Sequence, residues 1–269
     1  MEEIRAHWER LGKQFGTDLR ATTRTPTIKE LEVDALSRAI ATIRAARGRA
    51  LSILEAGCGN GYNSIHLAMT FTDCQFTAFD YIDDMVAAAC ALRDQFCIED
   101  RLTIFSDNVL KLNNVSGSFD IIITVRCLIN LNTDTLQMSA LSSLAQRVVP
   151  GGYMIMIENN LTTYDKQNRA RASVGLAKRT PAKFNHFLDE TVILPYLGQL
   201  GFDVETEDFA SLHDIMLYVL LPMILDDKIE YDHPLMNAVT KLSINLNTYA
   251  PNSFGDFGQN RMYLCRRRG

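Results

Sequence analysis

The chain has no C-x-x-C pair. Its six cysteines, Cys58, Cys74, Cys90, Cys97, Cys127 and Cys265, are scattered. Several sit in apolar stretches such as Ala87-Ala88-Ala89-Cys90, so they read as small buried hydrophobes in a reducing cytoplasm rather than as a disulfide framework. No apolar signal core follows Met1-Glu2-Glu3-Ile4-Arg5. The longest greasy run, residues 215–225, is broken by Pro222 and is too short to cross a bilayer. A cytoplasmic protein without membrane insertion is the expectation. Excess positive charge is also lacking. With 27 basic against 32 acidic residues the net charge is −5, and the only basic cluster is Arg266-Arg267-Arg268. A nucleic-acid partner is therefore disfavoured. No His/Cys/Asp spacing suits a metal, and no metal ligand is expected. Internal repeats and low-complexity linkers are absent.

What is present begins at Leu51-Ser52-Ile53-Leu54-Glu55-Ala56-Gly57-Cys58-Gly59-Asn60-Gly61. An apolar strand runs into an acidic residue and then a G-x-G-x-G turn, with a helix-compatible segment following at once. Glycines allow a sharp turn and close approach of the backbone to a ligand, and the first amides of the next helix favour a polar or anionic group. Gln75 to Phe79 read as a second strand ending at Asp80, roughly 20 residues beyond the glycines, where a carboxylate meets ribose hydroxyls. The third glycine stands one place too early for a dinucleotide fingerprint, position 62 is Tyr, and Glu55 lies outside that fingerprint. These departures point away from NAD.

The ordered set E-x-G-x-G-x-G, Asp80, Ser106-Asp107-Asn108, Phe119-Asp120-Ile121-Ile122-Ile123 and Val149-Pro150-Gly151-Gly152 resembles the class I S-adenosylmethionine-dependent methyltransferases. It spans about residues 50 to 160. The resemblance implies S-adenosyl-L-methionine as cofactor, with Gly57, Gly59, Asn60 and Gly61 against its methionine part and ribose, and Glu55 near the methionyl amino group. Asp80 takes the ribose hydroxyls, Tyr81 and Met85 border the adenine, and Asp107-Asn108 read its exocyclic amine. Arg126 stands on the same rim. Thr124 to Leu131 includes Arg126-Cys127-Leu128-Ile129-Asn130-Leu131, similar to an element of bacterial methyltransferases associated with glycan-assembly loci.

Strands are expected near 51–56, 75–79, 101–105, 119–125 and 152–158, and helices near 61–70, 83–95 and 134–148. That alternation, almost continuously apolar in the strands, predicts a Rossmann-like α/β fold with a mostly parallel sheet and helices on both faces. Further strands begin near 201 and 261. The resemblance implies seven strands in the order 3-2-1-4-5-7-6, the last inserted antiparallel. About 50 residues separate the last two strands, far beyond a hairpin, and helical spacing there predicts a cap at about 211–258. The expected organisation is an N-terminal helical segment, 1–48, packed on the sheet or serving as a lid, followed by a methyltransferase domain, 49–269.

The expected activity is methyl transfer to a hydroxyl of a small molecule or glycan. The alternatives are an N- or C-methyltransferase acting on a natural-product or peptide intermediate, or a cofactor-binding partner without turnover. Glu158, at the end of the fifth strand, and His186, in an aromatic setting, are candidate bases. Arg126 is a candidate for fixing the acceptor, together with Asn130, Asn159, Phe184 and Tyr218. Oligomeric state and the acceptor's identity stay open at this point.

Overall fold

The computed structural model describes residues 2–269. Seven strands, β1 (Ser52–Ala56), β2 (Gln75–Asp80), β3 (Leu102–Ser106), β4 (Phe119–Val125), β5 (Val148–Asn159), β6 (Phe202–Glu207) and β7 (Asn260–Arg267), form one sheet in the order β3-β2-β1-β4-β5-β7-β6. β7 runs antiparallel to both neighbours, while β1 to β5 are parallel. The fold expected from the sequence is the fold observed.

Alternation along the buried strands explains the two helical layers. Ile53, Ile121, Ile123, Ile155 and Ile157 point into one core. Leu54, Ile122, Met154 and Met156 point into the other. Every residue of β4 is buried, as a strand covered on both faces requires. The first layer includes α2 (Pro26–Arg47) and α3 (Tyr62–Thr70), with α4 (Asp83–Gln95) beside them; α5 (Asp134–Ala145) and α7 (Glu190–Gln199) cover the other face. α2 begins with Pro26 in its first turn and ends on Gly48 in the left-handed conformation, φ 63°, both favoured terminators.

The N-terminal segment divides into two parts. α2 belongs to the sheet's own layer, through Leu31, Ala35, Ile40 and Ile43. α1 (Glu2–Phe15) and a 3-10 turn at Leu19–Ala21 lie elsewhere: Trp8, Leu11 and Phe15 pack with Ala21, Ile82 and Met85 at the C-terminal edge of the strands.

α6 (Leu161–Ser173) was not expected. Its buried positions are Thr163, Tyr164, Gln167, Asn168 and Arg171, so hydrophobic periodicity does not announce it. The cap between β6 and β7 holds α8 (Ser211–Ile215), a π-helical turn at Met216–Leu220, α9 (Leu221–Ile224) and α10 (Leu235–Tyr249), the last packed on α2. The helix expected over 212–225 widens into the π turn for a local reason. Pro222 has no amide to give to the Tyr218 carbonyl, which Arg171 takes instead. Among the described residues no helix is long and apolar enough to cross a membrane.

Candidate functional site

A cavity of about 1350 Å³ opens at the C-terminal edge of the strands, between the sheet, α1 and the cap. It exceeds the roughly 300–1,000 Å³ of ordinary ligand clefts. It extends from Glu55, Asp80 and Met85 to Arg179, Tyr218 and Tyr231, giving two regions, one around the glycine turn and one under the cap.

The glycine turn is built by steric necessity. Gly57 and Gly59 have φ of 74° and 55°, and a Cβ on Gly57 would lie 2.5 Å from Cys127 Sγ. A Cβ on Gly59 would lie 2.7 Å from Thr22 Cγ2, so the N-terminal segment presses directly on the turn. The Asp80 carboxylate accepts from the Gly59 amide (2.8 Å) and the Ile82 amide (2.9 Å). Each oxygen keeps a free lone pair at the cavity wall, and burial raises the carboxyl's pKa. Glu55 is 2% exposed and lines the same wall. It accepts from Asn63 Nδ2 (3.1 Å) and from the Ser64 hydroxyl, and burial raises its pKa too. Tyr81 and Met85 line the cavity beside them, with Arg5 5.1 Å over the Tyr81 ring. This cradle of glycine backbone, one ribose-type carboxylate and an apolar slot fits a nucleoside with an amino-acid tail.

Several expected residues occupy other positions. Asp107 lines the cavity, but its carboxylate accepts four backbone amides, those of Asn108, Asn113, Asn114 and Val115, at 2.7–3.1 Å. A carboxylate has about four acceptor sites, so Asp107 orders the loop after β3 and has none left for an adenine amine. Asn108 Oδ1 caps Leu110 (2.9 Å). Asn60 and Gly61 do not line the cavity. Asn60 Nδ2 ties the glycine turn to the Asp18 carbonyl (3.0 Å), and a Cβ on Gly61 would meet Ala89 Cβ at 2.9 Å. Asn130 bridges the Arg126 carbonyl (2.8 Å) and the Trp8 indole N–H (3.1 Å). It lines the cavity and holds α1 in place, with two of the four hydrogen-bonding sites of its side chain used.

The two expected bases do not face the cavity. Glu158 is 0% exposed, and its carboxylate accepts the amides of Cys127, Leu128 and Ile129 (3.1–3.3 Å). Burial pushes its pKa up to about 7. It braces the turn after β4. His186 does not line the cavity, although Asn185 and Phe187 do, and its Nε2 lies 2.7 Å from Asp134 Oδ1. The imidazole that does line the cavity is His7, stacked on Phe184 with centroids 4.3 Å apart. Burial, aided by Arg10 and Arg24, lowers its pKa.

Arg126 lines the cavity in a left-handed conformation, φ 51°. Its Nε lies 2.9 Å from Glu32, which also holds Lys29 Nζ at 3.0 Å. Both Lys29 and Glu32 are buried, and burial lowers the Lys29 pKa. The Glu32 carboxylate lies between the two cations, and Glu55 is near enough to Lys29 to act on its charge as well. Asn159, 3% exposed, lines the cavity at the end of β5. Under the cap, the Arg179 guanidinium lies between two rings, 3.4 Å from the Tyr218 centroid and 5.2 Å from that of Tyr164. Arg179 was not foreseen. The available signal is the buried polar stripe Tyr164, Gln167, Asn168, Arg171, whose spacing lines one helical face. Among the described residues no group of three His, Cys, Asp or Glu is placed to hold a metal.

Residues 53–152 match the family described as a methyltransferase domain. No curated protein matches the chain. Among solved structures, the chain is similar to magnesium protoporphyrin IX methyltransferase from Synechocystis PCC 6803 with bound SAH, at 15% identity and TM-score 0.59, covering 99% of this chain and 97% of that one. It is also similar to the N-methyltransferase NodS from Bradyrhizobium japonicum WM9 in complex with S-adenosyl-l-homocysteine, at 13% identity and TM-score 0.56, covering 98% of both chains. A third is the [4+2]-cyclase SpnF, at 16% identity and TM-score 0.56, covering 87% of this chain and 81% of that one. Residues 53–152 are a methyltransferase domain, and the sheet that carries them has the class I S-adenosylmethionine-dependent methyltransferase fold.

Proposed function

We propose that the protein transfers a methyl group from S-adenosyl-L-methionine to a hydroxyl of a small molecule or glycan. The observation that carries this reading is the continuity of the two regions: the glycine–Asp80 cradle opens into a second, aromatic-walled space large enough for an acceptor. Asp80 suits the ribose, Glu55 the methionyl amino group, and Tyr81 with Met85 the adenine. Lys29 and Arg126, the cations of this wall, suit the methionyl carboxylate. When bound, the cofactor supplies an electrophilic methyl on a sulfonium. Two of the similar structures are SAH-bound methyltransferases, which supports the cofactor; that a cyclase shares the fold shows why the reaction must be argued from the site.

The chain's own contribution is orientation and exclusion of water. α1, latched through Trp8–Asn130 and pressed on the turn through Thr22, acts as a lid, and the cap completes the acceptor wall. Orientation at near-attack distance supplies much of the rate in such displacements. A hydroxyl also gains from a base; the His7 imidazole lines the cavity with its Nδ1 3.1 Å from the Arg10 guanidinium, which must release that lone pair before it can take a proton.

The test is transfer of labelled methyl from the cofactor to a panel of hydroxyl and amine acceptors, with products identified by mass spectrometry. Methyl ethers are expected. Methylation confined to nitrogen or carbon would move the assignment to the alternative transferases, and cofactor binding with no transfer to any acceptor would make the protein a non-catalytic partner.

A further inference from the structure

The cations around the cavity differ in how their charge is answered. Arg126 and Lys29 share the Glu32 carboxylate. Arg179 has no such partner: its NH1 donates to Gln167 Oε1 (2.8 Å) and its NH2 to Gln259 Oε1 (2.9 Å), both neutral amides. Among the described residues no carboxylate oxygen stands within 4.0 Å of its guanidinium as a salt-bridge partner. Two of its five N–H donors are used and three remain.

The bracing is deliberate in its geometry. Asp214, 3% exposed, accepts from Gln167 Nε2 (3.0 Å) and from the Gln259 backbone N–H (2.6 Å), and its other oxygen lies 3.0 Å from His213 Nδ1. The nearby carboxylate thus aims the two glutamines that hold Arg179, without pairing with the guanidinium itself. Asn168 clasps the Arg179 backbone at both its amide (2.9 Å) and its carbonyl (3.1 Å). The guanidinium carbon lies over the rings of Tyr218 and Tyr164, 3.4 Å and 5.2 Å from their centroids. A guanidinium held this rigidly, with its charge unanswered at a cavity wall, has lost little freedom left to lose and presents a planar fork that matches an oxyanion.

We infer that the methyl acceptor is anionic, and that Arg179 is the specificity residue that binds its carboxylate or comparable oxyanion group under the cap. This rests on the reading of the cavity as a methyl-transfer site. Neutral sugars and alcohols would leave the guanidinium desolvated and unpaired, which selects against them. Arg126, the residue expected from the sequence to fix the acceptor, has the Glu32 carboxylate 2.9 Å from its Nε, whereas Arg179 is held by neutral amides alone.

The experiment uses the full chain saturated with S-adenosylhomocysteine and two matched probe pairs, 4-hydroxybenzoate with 4-hydroxybenzamide and D-glucuronate with D-glucose. Titrations follow the side-chain Nε–H resonance of Arg179, assigned by its loss in Arg179→Lys. In at least one pair the carboxylate is expected to shift that resonance saturably and bind about tenfold or more tightly than its neutral partner. Arg179→Gln should erase this preference and Arg179→Lys retain part of it, with S-adenosylhomocysteine affinity unchanged in both as the control for folding. No saturable shift from either carboxylate, equal affinities within both pairs, or a preference that survives Arg179→Gln would overturn the inference. Failure of the wild type to bind S-adenosylhomocysteine would instead refute the methyl-transfer reading itself.

Discussion

At the scale of single residues, the site is decided by which polar atoms are already spent. Asp80 and Asp107 are both carboxylates at strand ends on the cavity wall. Asp80 accepts two amides and keeps capacity; Asp107 accepts four and keeps none. The same accounting separates the histidines. His186 faces Asp134 outside the cavity, whereas His7 stacks on Phe184 within it. If His7 takes the acceptor's proton, His7→Ala should lower kcat by roughly 10²–10⁴, while His186→Ala should stay within a few-fold of wild type. Because burial lowers the His7 pKa, the acid limb of the wild-type pH–rate profile should fall below the ordinary histidine value. Steady-state kinetics of the two variants check this, and equal losses in both would argue for a structural effect instead.

At the scale of elements, the end of β4 depends on its neighbour β5. The turn after Val125 carries left-handed Arg126 and three successive amides that all converge on buried Glu158. Burial raises this carboxyl from 4.5 to about 7, so ionising it costs more in the folded protein than in the unfolded chain. Its contribution to stability is therefore fully present below about pH 4.5 and is lost as pH rises through about 7. Thermal melts should show the wild type losing stability across that window relative to Glu158→Gln, which cannot ionise. A flat difference between the two proteins would mean that the three amides already compensate the buried charge. α1 is the other element defined from outside itself: its Trp8 reaches Asn130 across 122 positions of sequence.

At the scale of the molecule, the sheet was legible because apolar strands and the E-x-G-x-G-x-G turn are local patterns. β1, β2 and β4 start and stop within a residue or two of expectation, and the order with its antiparallel β7 follows the resemblance. Asp80, Tyr81 and Met85, expected from the same local patterns, line the cavity. The rest of the site was not legible, because it depends on pairings between distant segments. Asn60 meets Asp18, Asn130 meets Trp8, and Arg179 is held by residues from α6, the cap and the position just before β7. Such pairings leave no periodicity, and α6 hid from a hydrophobic reading because its buried face is polar.

The central claim is that the glycine–Asp80 cradle holds the methyl donor, and calorimetry with S-adenosylhomocysteine tests it most directly. Binding on the order of micromolar is predicted for the wild type. Asp80→Ala should weaken it by about 1.5–3 kcal/mol for each charge-assisted hydrogen bond lost, roughly ten- to a hundredfold per bond. A wild-type protein that ignores both S-adenosylmethionine and S-adenosylhomocysteine yet binds NAD, or a folded Asp80→Ala variant with undiminished affinity, would contradict it.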